Sequence, residues 1–220
     1  MGRHRAYLST FILAALLPLG ADAGTETSAV AELPTPSVGT VWKYRVLDMW
    51  NNTELRQFEE ELVEIRADRL VFREKRPGAA EPKTAYYGRS LASCRRLRGS
   101  EEEMCAGAFA FPLRVGDRSS YQKRPWATGD GHSSAECAVK GVEAVTVPAG
   151  TFDSYRIECD GNWNRVFETG PRQGMSGRFE ETLWYAPSVG RSVKWNHNGY
   201  GSSGRIYTKE QTELMEFVPK

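Results

Sequence analysis

The stretch CAVKGVEAVTVPAGTFDSYRIEC, residues 137–159, has a cysteine at each end and Pro148-Ala149-Gly150 near its middle. Before the turn, Val142, Ala144 and Thr146 alternate with Glu143, Val145 and Val147; after it, Phe152, Ser154 and Arg156 alternate with Asp153, Tyr155 and Ile157. A period of two marks strands. Proline presets the φ of a turn's first corner and glycine accepts a positive φ, so the middle predicts a tight reversal between antiparallel strands. Folding the chain there brings Cys137 and Cys159 to nearly matching heights, and a bulge would set them opposite. Cross-strand cysteines can meet the Cα spacing of about 5.5 Å that a disulfide needs. We therefore predict a Cys137–Cys159 bond and, by elimination, a Cys94–Cys105 bond that closes a ten-residue loop. Each is read as a scaffold staple worth about 2–4 kcal/mol. A redox or metal role would need CxxC spacing or histidine partners, and the four cysteines have neither.

The opening residues, MGRHRAYLSTFILAALLPLGADAG, combine Arg3 and Arg5, an apolar run from Phe11 to Leu19, and small residues at Ala21 and Ala23. That is the layout of a secretory signal cleaved after Ala23. The run falls well short of the roughly 20 residues that span a bilayer, so no stable membrane anchor is expected. The cleavage region has no cysteine for a lipid to be attached to. Residues 24–220 then carry 27 basic and 27 acidic side chains. Zero net charge leaves no electrostatic footprint for nucleic acid. No polybasic segment is present to hold anionic lipid. Export, with the periplasm as the expected destination, also delivers the cysteines to an oxidising compartment.

Residues 24–37, GTETSAVAELPTPS, read as a flexible lead-in to a single domain over 38–220. VGTVWKYRVLDMW, from Val38, is a strand rich in aromatic and β-branched residues. Residues 54–75 support two readings. Leu55, Phe58, Leu62 and Ile65 fit a helical stripe, whereas Val63, Ile65 and the Leu70-Val71-Phe72 run bracket RADR like a hairpin turning near Asp68. Propensity is a weak prior, so we favour the two strands and leave helix open for 54–66. RPGAAEPK (76–83) and ATGDGHSS (127–134) are loops. Between Cys94 and Cys105, Arg95, Arg96 and Arg98 face Glu101, Glu102 and Glu103, opposite blocks expected to pair on a solvated surface. Strands follow over 135–147, 152–160, 178–186, 191–197 and 205–217. Many strands punctuated by turns, with no long amphipathic helix, predict an all-β sandwich or barrel.

VEAVTVPAGTFDSYRIE followed by ETLWYAPSVGRSVKW, and preceded by VGTVWKY and FPLRVGDR, resembles a pattern of uncharacterised exported bacterial β-proteins. Those are similar in turn to the half-barrel fold of periplasmic lipoprotein carriers and lipid-transport proteins. The resemblance spans most of residues 24–220. It implies a curved antiparallel meander, a half-barrel or open barrel with little helix, around an apolar concavity, and no catalytic residue to transfer. The two disulfides and the charged 95–103 segment depart from the carriers.

Candidate chemistry is sparse. After residue 23 the histidines are His132, in a Gly/Ser loop, and His197, within WNHNGYGSSG, where Asn and Gly signal a turn. GMSG (174–177) and GSSG (201–204) miss the G-x-S-x-G nucleophile elbow. A scattered Ser-His-Asp set is left as the weaker alternative. DGH at 130–132 with Glu136 matches no metal-ligand string, and no cofactor is expected. Glu180 and Glu181 are adjacent in a strand and point to opposite faces, so they cannot share one glycosidase site. Aromatic residues are the richer feature. Most fill a core, and some line an apolar ligand pocket, for which we nominate Trp42, Tyr44, Phe152, Trp184 and Tyr185. The function expected is therefore a non-enzymatic periplasmic domain that binds an apolar small molecule, a lipid or an envelope protein in the concavity of its sheet. Alternatives are an envelope assembly protein using the charged 94–105 loop and a hydrolase with an unrecognised site.

Overall fold

A computed structural model of the chain describes residues 30–165 and 174–220. The expected signal segment 1–23, its cleavage point and the first part of the lead-in lie outside them. The strands are Val41–Asp48 (β1), Thr53–Ile65 (β2), Arg69–Lys75 (β3), Lys83–Gly88 (β4), Ser93–Arg96 (β5), Glu103–Ala106 (β6), Arg118–Pro125 (β7), Gly131–Val147 (β8), Gly150–Arg165 (β9), Met175–Ala186 (β10), Arg191–Tyr200 (β11) and Ile206–Val218 (β12). Among the described residues there is no helix.

All twelve strands form one antiparallel sheet in the order β6-β5-β4-β3-β2-β1-β12-β11-β10-β9-β8-β7. Apart from β6 and β7, strands consecutive in sequence are paired, and β1 pairs with β12 from Val41↔Val218 to Asp48↔Glu210, so the first and last strands of the meander meet. The all-β class and the curved meander are as expected, and the barrel is nearly closed. Its one interruption is between β6 and β7, which touch without a backbone ladder.

The opening stretch behaves as its pattern dictates. Val147 faces Gly150 across Pro148-Ala149, and Gly150 has φ 137°. The register shifts by one between Val139 and Gly141, which places Cys137 directly opposite Cys159. Both disulfides form: the Cα atoms are 4.1 Å apart for Cys137–Cys159 and 3.9 Å for Cys94–Cys105.

The two strands favoured for residues 54–75 form, and β2 is paired on both sides, by β1 and by β3, so tertiary pairing outweighs its helix formers. Other expectations need correction. The described end of the lead-in is anchored at Ala31, which is buried and exchanges both backbone hydrogen bonds with Leu113. His132 and His197 sit in β8 and β11 rather than in loops, because the Gly, Ser and Asn residues around them are small strand residues. A Cβ on Gly161 would strike the Phe179 ring and the Ser134 carbonyl, and one on Gly177 would strike the Trp163 ring and the Tyr200 carbonyl. These glycines let aromatic rings lie on the sheet at a tight bend.

Candidate functional site

The inward face of the sheet is filled at two levels and hollow between them. Along β10, Phe179, Glu181, Leu183 and Tyr185 share a face by period two, and the two rings are buried at either end. Glu181 and Leu183 border a cavity of about 480 Å³. Along β2, Arg56, Phe58 and Glu60 line it and Leu62 is packed beyond them; along β12, Thr208, Glu210 and Thr212 do the same before Leu214. Tyr44, Tyr87, Arg95, Arg124, Trp195 and His197 come from five further strands, while Phe109, from the segment joining β6 to β7, and Trp126, just beyond β7, complete the wall at the interruption. The volume lies in the range of small-molecule sites, which are typically about 300–1,000 Å³.

Two buried charge clusters stand in the cavity wall. In the first, Arg191 donates to Glu60 Oε2 at 2.5 Å and Tyr87 Oη donates to Glu60 Oε1 at 2.8 Å. The Arg191 guanidinium also lies 4.7 Å from the Phe72 ring centroid and 4.8 Å from that of Tyr87. Such stacking suits a planar, weakly hydrated cation. Burial works against the Arg191 charge, but Glu60 and the neighbouring tyrosines outweigh it and hold the guanidinium ionised. Burial, reinforced by the Glu60 charge, pushes the Tyr87 phenol well above its ordinary value, and burial does the same at Tyr44.

In the second cluster, Arg124 Nη2 donates to Glu181 Oε1 at 3.0 Å, and His197 Nδ1 lies 3.2 Å from the same oxygen. Glu181 is opposite His197 in the β10–β11 register, and its side chain is only 1% exposed. Burial alone would raise its carboxyl, but the Arg124 charge and the contact with His197 outweigh that and hold it below the usual carboxylate range. A histidine held by a carboxylate is the orienting half of a hydrolytic triad. Among the described residues, no serine, threonine or cysteine side chain hydrogen-bonds to His197, and Arg124 occupies the carboxylate as well. The arrangement is suited to holding charge fixed in a dry site. No group of three or more His, Cys, Asp or Glu side chains among the described residues could hold a metal ion.

Of the five pocket residues nominated from sequence, Tyr44 lines the cavity and donates its hydroxyl to the Ser192 carbonyl at 3.0 Å. Trp42 and Tyr185 are fully buried in the packed levels, Trp42 with its indole N–H on the Val189 carbonyl and Tyr185 against Phe109 and Phe111. Phe152 packs at the margin of the core and does not reach the cavity. Trp184 is on the opposite face from Glu181 and Leu183, bonded to Glu143 with the Lys194 ammonium 5.2 Å from its ring centroid. Glu180 is likewise on that face, bonded by Tyr200. The lining that sequence did not nominate includes buried or half-buried charges, among them Glu60, Glu181, Arg95, Arg124 and Arg191. A signal for one of them was present, a glutamate interrupting the apolar face Phe179, Leu183, Tyr185.

The charged 94–105 loop is largely committed within the protein. Arg95 lines the cavity, Arg98 bonds the Thr128 carbonyl, and Glu103 pairs with Arg69 at 2.6 Å. Within the loop Arg96 and Glu101 approach each other, at 3.9 Å.

No family model matches the sequence, and no curated protein matches it. Two crystal structures are similar to it. One, of a candidate lipoprotein from Parabacteroides distasonis, is 15% identical, covers 86% of this chain and 100% of that one, and has a TM-score of 0.46. The other, of a candidate exported protein with a YmcC-like fold from Bacteroides fragilis, is 12% identical, covers 86% of this chain and 99% of that one, and has a TM-score of 0.45.

Proposed function

We propose that this chain is an exported, non-enzymatic binding domain, acting in the periplasm, that holds a small molecule with an apolar body inside its barrel. The observation that carries this is the cavity of about 480 Å³ that opens within a stapled sheet and is walled in part by Phe58, Leu91, Phe109, Trp126, Leu183 and Trp195. A core meant only for stability would be packed to crystal-like density rather than left hollow. The N-terminal signal pattern and the two disulfides fit export. Binding is favoured over an assembly role for the 94–105 loop because Arg95, Arg98 and Glu103 are used internally.

The test is purification without detergent from a periplasmic extract, followed by native and then denaturing mass spectra. An adduct released on denaturation is expected, and the emptied protein should bind the neutral fluorophore phenylnaphthylamine saturably. A bare protein that also leaves the fluorophore dark in solution would overturn the proposal.

A further inference from the structure

The lining charges of the cavity do not balance. Arg56 pairs with Glu210 at 3.4 Å, Arg124 with Glu181 at 3.0 Å and Arg191 with Glu60 at 2.5 Å. Arg95 lines the same space and has no carboxylate partner among the described residues. Arg191 Nη1 and Trp195 Nε1 are buried and have no hydrogen-bond acceptor there either. Both oxygens of Glu60 are already engaged, one by Tyr87 and the other by Arg191. Tyr87 pairs with Ser93, two residues before Arg95 along β5, and the Arg191 guanidinium is 4.8 Å from the Tyr87 ring centroid, so both arginines are gathered around one end of the cavity. A buried donor left unmatched is disfavoured, and a guanidinium is best matched by a planar or tetrahedral oxyanion.

From this geometry we infer that the ligand is an amphiphile with an oxyanionic headgroup, a carboxylate or a phosphate, seated against Arg95 at the end of the cavity that the buried Arg191 guanidinium closes, with its tail along Phe58, Leu91 and Leu183. The inference rests on the cavity being a binding site. The opposite end cannot take the headgroup. There, Glu181 Oε2 is itself a buried acceptor without a donor, and a second negative charge beside it would be repelled. The remaining lining cation, Lys194, sends its ammonium over Trp184 on the outer face and so does not decide the headgroup's position.

The experiment displaces bound phenylnaphthylamine from the mature protein with four amphiphiles of one tail length: dodecanoate, dodecyl phosphate, dodecanol and dodecyltrimethylammonium. At least one of the two anions should compete at a concentration about tenfold or more below that of dodecanol, the scale of a charge-assisted hydrogen bond, and the cation should compete worst. Whichever anion is tighter assigns the headgroup to a fatty acid or to a phosphorylated lipid. Arg95→Gln should remove the preference for anions, read as the ratio of the dodecanol concentration to the anion concentration that displaces half of the fluorophore. Equal competition by dodecanol, or an anion preference that survives Arg95→Gln, would overturn the headgroup assignment and leave the cavity as an apolar site. Failure of phenylnaphthylamine itself to bind would overturn the cavity proposal and the headgroup with it.

Discussion

Glu181 is ionised in the barrel interior because Arg124 and His197 compensate for the water it has lost. Its folded pKa is depressed, so its contribution to stability is complete above the ordinary carboxylate value and fades as pH falls through the lower, folded one. Removing the cation reverses this. In Arg124→Met, burial pushes the Glu181 carboxyl upward, and the variant is expected to be less stable than wild type by roughly 3–5 kcal/mol at neutral pH, the scale for an orphaned buried charge. The difference should shrink on acidification as Glu181 takes up a proton. Urea midpoints of both proteins from neutral to acidic pH measure it. A deficit that stays constant across that range would mean that Arg124 acts by packing alone. At this scale the sequence was only partly legible. The opposite orientation of Glu180 and Glu181 follows from strand periodicity, but Arg124 and His197 reach Glu181 from other strands, and only register brings them there.

At the scale of elements, the β8–β9 hairpin shows what local pattern can and cannot convey. Alternation, the Pro-Ala-Gly turn and the one-residue bulge were readable and sufficed to place Cys137 opposite Cys159. The outer halves of the two strands were not readable. Gly131, Ser133, Ser134, Gly161 and Asn162 have turn-like composition, yet they are paired in register up to Gly131↔Arg165. Their smallness serves the rings: Trp126 covers Gly131, and Phe179, which faces Gly161 across the β9–β10 ladder, covers that glycine. Gly161→Ala should therefore cost about 1–3 kcal/mol by overpacking. Adding Phe179→Leu should recover part of the loss by clearing the space. Chemical denaturation of the single and double variants gives the coupling, and strict additivity would show that the glycine is there for backbone reasons instead. The same blindness explains WNHNGYG, where Gly199 admits the Tyr207 ring inside a strand that composition marks as a turn.

For the whole molecule, the decisive feature is where the barrel fails to close. Ten of the strands have hydrogen-bonded neighbours on both sides, whereas β6 and β7 each have only one. β6 is four residues long and depends on β5, to which Cys94–Cys105 fastens it. The cavity wall crosses this gap, with Ala106 and Phe109 on one side and Arg124 and Trp126 on the other. Local opening draws on segments with few paired neighbours, so backbone amides of β5, β6 and β7 are expected to exchange with deuterium well before those of β1, β10 and β12. A ligand that touches both margins binds only the closed arrangement and must stabilise it. Saturation with phenylnaphthylamine should therefore slow exchange in β5–β7 selectively. Replacing Cys94 and Cys105 together by serine should speed exchange in β6 first, without exposing β9 or β10. Hydrogen-exchange mass spectrometry of the three samples decides it. If β7 exchanges as slowly as β10, or if the ligand protects all strands equally, the gap is not the flexible wall of the site, and the ligand must enter and be held elsewhere in the barrel.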